Sequence, residues 1–483
     1  MNATGQLWNV SAPLIVGATT ILAVFAASFR RTASLVFFLS LAGMLGAFVG
    51  TMATARCAPV EAAPFFLLDG HARYYTMLIL LCGLAVALLA RGDFGRTDAS
   101  NGEYGIFVLL SVLGAVTLVA SRHFASFFLG FELLSVPLYI LIAFPESSAR
   151  AAEAGVKYLV LGSMAAAFIL LGMALIYAGT GSMEFPRTAD SAGQGTPLYL
   201  DAGFSLILVG IGFKLALAPF HQWAPDIYQG APPPSAALVA TVSKVAVFGA
   251  LMRLYFPVIS QPGSRIAAAL QLLAVLSMFI GNLLALFQND LLRVIAYSSI
   301  AHMGYFMVAF LGNGPIGSIA STYYITAYAV SVIGVFASIA SIAGRGNPCG
   351  DFSVADLTGL AKRKPVTAGL FTLSLLSLAG LPFTAGFMGK FYVVGAGMQG
   401  HVVALAVSLV VSSVIGLFCY LRIVSALYQE SPPYDGSSVQ SGQRQAATGL
   451  PVVLVLWSAP AIIVLLGILP GPLFSFIQQL ITG

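Results

Sequence analysis

The 483-residue sequence predicts an all-α integral membrane protein of about fourteen transmembrane helices, with two inverted five-helix repeats that each contain a broken helix. Three observations predict this. Hydrophobic residues make up 59% of the chain and charged residues only 8%, against about 25% charged in soluble domains. In water so much apolar surface would leave large exposed patches, whereas a bilayer accepts it on every outward helix face. The apolar residues fall in runs of roughly the 20 residues that cross a hydrocarbon core, and two of the runs are broken by proline at corresponding places, the pattern of inverted-repeat transport machinery.

Segments one to three, at 11–29, 34–53 and 74–91, fall in an N-terminal unit, 1–104. No Lys or Arg precedes the first run, so no cleavable leader is expected. Segments four to eight, at 105–120, 125–144, 156–179, 203–219 and 235–256, form the first five-helix unit, 105–256. Segments nine to thirteen, at 266–288, 292–311, 316–343, 366–394 and 402–428, form the second, 266–428. The repeat is anchored on "LALAPFHQW" in segment seven and "SLAGLPFTAGF" in segment twelve, where Pro219-Phe220 and Pro382-Phe383 correspond. Five spans per unit turn the second upside down relative to the first. The stretch 429–448, "QESPPYDGSSVQSGQRQAA" and its neighbours, reads as a solvated cytoplasmic loop. Segment fourteen, at 449–470, completes the chain within 449–483.

Orientation follows from the basic residues of alternate loops. Loops after odd-numbered segments hold 13 Lys and Arg, and the opposite loops hold 6. Both termini are therefore expected on the side away from the cytoplasm. The four cysteines, Cys57, Cys82, Cys349 and Cys419, are far apart, so neither a disulfide framework nor an iron-sulfur or zinc site is indicated. The net charge of +5 reflects loop arginines. It comes without the aromatic-basic stripe that nucleic-acid binding needs.

The three remaining lysines, Lys214, Lys244 and Lys390, fall inside predicted spans, as does one of the 17 acidic residues, Glu132 in "FFLGFELLSVPLYIL". A charge at bilayer depth costs about 2.5 to 3.5 kcal/mol on insertion scales, so such groups pair or line a wet path. A structural ion pair gluing helices is one reading, but buried pairs stabilise poorly compared with apolar packing. Three lysines and one glutamate on four helices fit a proton path better. Lysine suits that task because its ammonium can lose a proton when burial disfavours the charge and regain it beside a carboxylate, which arginine does not do. A Glu132–Lys214 pair that makes and breaks would switch Lys214.

Prolines stand beside these charges. Glu132 precedes Pro137 and Lys214 precedes Pro219, so the carbonyls of Leu133 and Leu215 are expected to be freed next to the side chains, where they can hold water. In segment twelve Pro382 comes before Lys390, placing the break on the other side of the charge. His221, in "PFHQW", and His302, in "AYSSIAHMGYF", are candidate relays that would bridge Lys244 to Lys390 or reach the cytoplasm, with Tyr297, Ser298 and Ser299 as water-ordering neighbours of His302. Each histidine can equally be a structural hydrogen-bonder, and serines in membrane helices often bond back to their own backbone. The stretch beyond His221, which includes Asp226, is either a proton-uptake path or a rigid cap.

Long motifs then carry a resemblance. "FELLSVPLYIL", "AAEAGVKYLVLGSMAAAFILLGMALIYAGTGS", "GFKLALAPFHQWAPDIYQGAP", "VIAYSSIAHMGY" and "LSLAGLPFTAGFMGKFYV" resemble the antiporter-like membrane subunits of respiratory complex I, in wording most like the subunit N branch. The likeness extends over about residues 70 to 430. It implies a fourteen-helix subunit that moves protons in response to quinone reduction elsewhere. By the resemblance, Glu132 matches the family's glutamate on helix five, Lys214 the lysine of broken helix seven, Lys244 that of helix eight and Lys390 that of helix twelve. It also implies a hetero-oligomer with subunits K and M adjoining, a bacterial plasma membrane, and no cofactor on this chain, with FMN, iron-sulfur clusters and quinone expected in other subunits. The competing expectations are a subunit of a multisubunit Na⁺/H⁺ antiporter and a passive scaffold. The single carboxylate at depth weighs against a Na⁺ site, since hard cations prefer several oxygen ligands.

Overall fold

A computed structural model of the chain describes residues 11–30, 33–62, 64–94, 100–144, 148–185, 197–261, 263–312, 314–343, 352–430 and 449–482. Cys349, Arg31, Arg96, Arg187, Arg345 and Arg444, and the greater part of the polar 429–448 stretch, lie outside the described residues.

The predicted spans appear as helices in chain order. They are α1 (Ser11–Arg30), α2 (Ala33–Ala53), α3 (Gly70–Phe94), α4 (Ser100–Ala120), α5 (Phe124–Ala143) and α6 (Ala149–Thr180). Segment seven is α7 (Pro197–Leu215) followed by the short α8 (Trp223–Gly230). Segment eight is α9 (Pro233–Ile259), in which Val239–Ser243 wind as a π-helical turn directly before Lys244. Then come α10 (Arg265–Leu286), α11 (Leu291–Leu311), α12 (Gly314–Ala343), the paired α13 (Pro365–Ala379) and α14 (Ala385–Gln399), α15 (Val403–Tyr428) and α16 (Leu450–Ile468). Among the described residues 13 helices are long and apolar enough to cross a bilayer. Segment twelve is the fourteenth, divided by its break into two halves.

Two elements were not expected from the sequence. A hairpin pairs β1 (Val60–Ala62) with β2 (Phe66–Leu68), Val60 opposite Leu68. A last helix, α17 (Gly471–Thr482), follows α16 and packs on α12 and α3. The hairpin is tied down by an ion pair from Glu61 to Arg122, while Arg73 donates to the carbonyls of Cys57 and Ala58 just before it.

The helices sort by burial. α9, α11 and α12 are enclosed nearly all round, whereas α1, α2, α6, α10 and α15 turn much of their surface outward. A helix that is apolar on all faces can occupy either position in a membrane bundle. What draws the central ones inward is their polar content, which has no partner in lipid.

Close helix approach depends on small residues, because packing rather than hydrophobic expulsion drives association between helices in lipid. α4 and α5 cross where Gly114 meets the backbone of Leu133 and Leu134, and a Cβ added at Gly114 would stand 2.2 Å from the Leu134 nitrogen. This crossing fixes the height of Glu132 and Ser135 on α5. Replacing Gly114 with valine should force the helices apart at a cost of about 1 to 3 kcal/mol, as overpacking does. The check is a lowered thermal midpoint of the purified assembly, and an unchanged midpoint would mean that the crossing is not close-packed.

Candidate functional site: a row of buried lysines

Lys214, Lys244 and Lys390 are 1%, 0% and 9% exposed, so each ammonium must find its hydrogen bonds inside the protein. Each does so on neutral groups.

Lys214 lies at the end of α7. It donates to Ser135 Oγ on α5 at 2.8 Å, and its Nζ stands 4.8 Å from the centre of the Tyr158 ring, 5.4 Å from Phe131 and 5.8 Å from Tyr139. Aromatic faces attract a cation, more strongly when it is desolvated. The expected direct pair with Glu132 is not formed. Glu132 is half-buried, its Oε1 has no hydrogen-bond partner, and Ser135, one turn further along α5, takes the lysine instead. The two charges are near enough to interact electrostatically.

The break beside Lys214 also departs from expectation. It begins at Leu215, ahead of Pro219. Ala216 adopts φ 59°, and the amides of Ala216 and Leu217 bond back to the carbonyls of Phe213 and Gly212. This is the pair of bonds with which helices commonly close, here with alanine where glycine is usual. The Phe213 carbonyl also accepts from Trp223 Nε1 at 2.8 Å. An indole from α8 thus meets the backbone at the break, at Phe213 and not at the Leu215 carbonyl that was expected to be freed.

Lys390 is seated differently. α13 closes at Gly380, φ 84°, with Gly380 and Leu381 bonding back to Ser377 and Leu376 in the same pattern. The Lys390 ammonium donates to the Ala379 carbonyl at 2.8 Å and to Ser413 Oγ at 2.7 Å, with the Tyr305 ring centre 5.2 Å away. A Cβ at Gly380 would lie 2.8 Å from the lysine stem. Glycine is needed there for both the dihedral and the space.

Between them, Lys244 follows the π-helical turn of α9 and makes a short hydrogen bond to Ser299 on α11, whose hydroxyl also bonds Tyr328 on α12. Tyr228 of α8 approaches Ser299 at 3.4 Å and offers its ring to Lys244 at 6.0 Å. His302, one turn along α11, bonds Tyr324 through Nδ1 at 2.8 Å and Tyr420 through Nε2 at 3.1 Å, and Tyr420 bonds Ser298. Thus His302 stands in the row between Lys244 and Lys390, and Ser298 and Ser299 bond across helices instead of to their own backbone. His221 is not brought into the row. It sits at the break with Nδ1 unpartnered, and its ring is 6.5 Å from Tyr297.

The stretch beyond His221 is pinned. Asp226 on α8 accepts from Lys157 of α6 at 2.9 Å and from Arg293 of α11 at 2.8 Å, and Arg293 also reaches Gln229. Sequence reasoning found the charged residues but missed Ser135, Tyr158, Tyr324, Tyr328, Tyr420 and Ser413. Only Tyr324 and Tyr328, four apart on one face of α12, left a periodic trace.

A many-helix membrane bundle with ionisable side chains aligned at depth has the build of ion-translocating membrane machinery. The family that matches, NADH:quinone oxidoreductase/Mrp antiporter, TM (Proton_antipo_M), does so over residues 121–416. The chain belongs to this family. Solved structures agree. A chain of respiratory complex I from Thermus thermophilus with bound aureothin is 30% identical with a TM-score of 0.82, covering 97% of this chain and 99% of that one. A chain of the Mrp complex from Dietzia sp. DQ12-45-1b is 21% identical, TM-score 0.86, covering 100% and 97%. A chain of the membrane-bound sulfane sulfur reductase, an archaeal respiratory membrane complex, is 23% identical, TM-score 0.84, covering 98% and 96%.

Asp226 provides a test of the pinned segment. Burial raises its pKa, but the hydrogen bonds and charges of Lys157 and Arg293 outweigh this and hold it below the usual 3.8. A carboxylate with a lowered folded pKa stabilises above its unfolded value and loses that contribution as pH falls through the folded one. Asp226→Asn should therefore lower the thermal midpoint by a constant amount between about pH 5 and 8, with the difference from the parent vanishing only below about pH 4. A difference that changed sign or disappeared near neutrality would remove the pin.

Proposed function

We propose that this chain is a proton-translocating, non-redox subunit in the membrane arm of a complex I-type NADH:quinone oxidoreductase, in the subunit N position. Glu132 and Lys214 form the switch, Lys244 and His302 the relay and Lys390 the far end of the path. The observation that carries this reading is the row itself, in which three buried lysines rest on hydroxyls, a carbonyl and aromatic faces, with no fixed carboxylate partner. A salt bridge holds its proton, whereas a lysine on neutral hosts can give one up and take another as its surroundings change. Flavin, iron-sulfur clusters and quinone belong on other subunits in this reading. Subunits K and M adjoin, and the chain lies in a bacterial plasma membrane with both termini on the periplasmic side. The two five-helix units, 105–256 and 266–428, are inverted copies. The two matching helix closures, at Ala216 and Gly380, support that repeat. Subunit N is favoured over subunit M because Lys390 stands where subunit M usually carries a glutamate.

A second reading, a subunit of a multisubunit Na⁺/H⁺ antiporter, is supported by the likeness to the Mrp complex along the full chain. The higher identity to the complex I chain favours the first reading. Co-purification separates them. Flavin and iron-sulfur absorbance in the assembly fits the first, and a colourless assembly with Na⁺-dependent activity fits the second. For either complex, Lys214→Ala and Lys390→Ala should each lower proton movement by about tenfold or more, equivalent to at least about 1.4 kcal/mol of barrier. Normal proton flux in both variants, measured by dye quenching in proteoliposomes, would leave the chain a scaffold.

A further inference from the structure

We propose that Asn282, on α10, is a positioning residue for Lys390: its carboxamide holds Tyr305 and Ser412, and through them the ring face and the hydroxyl on which the Lys390 ammonium rests. The inference rests on the proton-path reading above and adds a residue that touches none of the charges.

Asn282 is 3% exposed, and among the described residues it is the one buried carboxamide side chain. The stretch of α10 around it, "FIGNLLAL", is otherwise apolar, and the helix turns much of its surface outward. An amide carried to bilayer depth is destabilising unless its hydrogen bonds are made. Here they are made toward one place. Nδ2 stands 2.7 Å from Tyr305 Oη on α11, 2.8 Å from the Ser412 carbonyl and 2.7 Å from Ser412 Oγ on α15. Two amide hydrogens thus serve three acceptors on two helices. Ser412 Oγ gives its own hydrogen to the Met278 carbonyl of α10 at 2.8 Å, so Ser412 is held from both sides.

The room for the amide comes from α15. A Cβ added at Gly416, one turn after Ser412, would stand 2.7 Å from Asn282 Oδ1. Glycine on one helix and asparagine on the other therefore fit as a pair, and neither can be enlarged without moving the carboxamide.

What this grip sets is the seat of Lys390. Successive side chains on a helix point about 100° apart, so holding Ser412 against α10 turns Ser413 toward α14, where it accepts from Lys390 Nζ at 2.7 Å. The Tyr305 ring centre lies 5.2 Å from the same ammonium and 5.3 Å from the His302 ring. With its hydroxyl held by Asn282, that ring cannot swing away from either. Of the three hosts of Lys390, only the Ala379 carbonyl is independent of Asn282. α15 is also tied to α10 further along, where Arg422 donates to the Leu286 carbonyl at 2.9 Å and to the Gln288 carbonyl. Neither of those partners is a host of the row, so Arg422 separates gluing from positioning.

The test uses the intact assembly in proteoliposomes with Asn282→Leu, which keeps the branching of the side chain and removes its hydrogen bonds. Tyr305→Phe, the double variant, Arg422→Gln and Lys390→Ala are run beside it. Asn282→Leu should lower proton translocation by about tenfold, as misplacement of a reacting group does. Tyr305→Phe should lower it as well, with the double variant no lower than the weaker single one, since both act through one contact. The tyrosine C–O band that Tyr305→Phe removes from the infrared difference spectrum should shift in Asn282→Leu. Arg422→Gln should lower the thermal midpoint while keeping translocation and leaving the band in place. Full translocation in Asn282→Leu overturns the proposal, and so does a loss without the band shift or a loss that Arg422→Gln matches. Loss of translocation in Lys390→Ala beside full translocation in Asn282→Leu overturns this inference alone, whereas full translocation in Lys390→Ala overturns the far end of the path itself. Should Asn282→Leu fail to assemble, Gly416→Ala, whose methyl displaces the amide and leaves every host in place, carries the same decision.

Discussion

Three ammonium groups and one carboxylate at bilayer depth set the terms for the rest of the structure. Each charge costs a few kcal/mol to place there, and the shortfall of carboxylates means that the positive charges cannot be paired away. The chain answers with neutral polar groups. Ser135, Ser299, Ser413, Tyr328 and the Ala379 carbonyl converge on or next to the lysines, and the rings of Tyr158, Tyr228 and Tyr305 cover the remaining approaches. These hosts lie on six helices and at one helix end, so the helices must pack closely around the row. That requirement explains why α9, α11 and α12 are enclosed while equally apolar helices such as α1 and α15 face outward.

The two breaks use one closure for opposite purposes. In the second, the closure at Gly380 leaves the Ala379 carbonyl aimed at Lys390, and the backbone itself becomes the host. In the first, Lys214 precedes the closure, and the Phe213 carbonyl accepts from both the Ala216 amide and Trp223. Lys214 therefore depends on a single serine hydroxyl and on aromatic faces. By hydrogen bonding to the protein its seat, like that of Lys244, is less anchored than that of Lys390. A site that must change its proton in step with a neighbouring charge is better served by such a seat than by a carbonyl cage.

The membrane class, the order of the spans, the four charged positions and His302 were all legible in the sequence, because a charge in an apolar run stands out against the cost of placing it there. The hosts were not. Serine and tyrosine are common in membrane helices, and whether Ser299 bonds its own backbone or a lysine on another helix is decided by tertiary register. The same holds for Ser135, which sits one turn from Glu132 and takes the contact that spacing alone assigned to the carboxylate. Pro219 marked the right region but the wrong residue, since the helix closes at Ala216 through a positive φ that alanine does not advertise. The relay role read for His221 met a similar limit, as position beside a break says nothing about which way the ring turns. Asp226 could be read as an uptake group or as a cap, and only the tertiary meeting of Lys157 and Arg293 on it shows a cap.

Glu132 completes the argument because it is placed unlike the lysines. α5 turns Leu129, Val136 and Ile140 outward, at 59%, 50% and 40% exposed, and Glu132 lies on the edge of that stripe with one carboxylate oxygen unpartnered. A carboxylate at the edge of an apolar face is costly unless something meets it. In an assembly of several membrane subunits, a neighbour pressed on this face reaches Glu132 before any other charge of the row. Ser135 then connects that edge to Lys214 on the inside. On the proposed reading, this arrangement places the group that responds to an external charge at the boundary, and the lysines that would exchange protons behind it, buried among the helices.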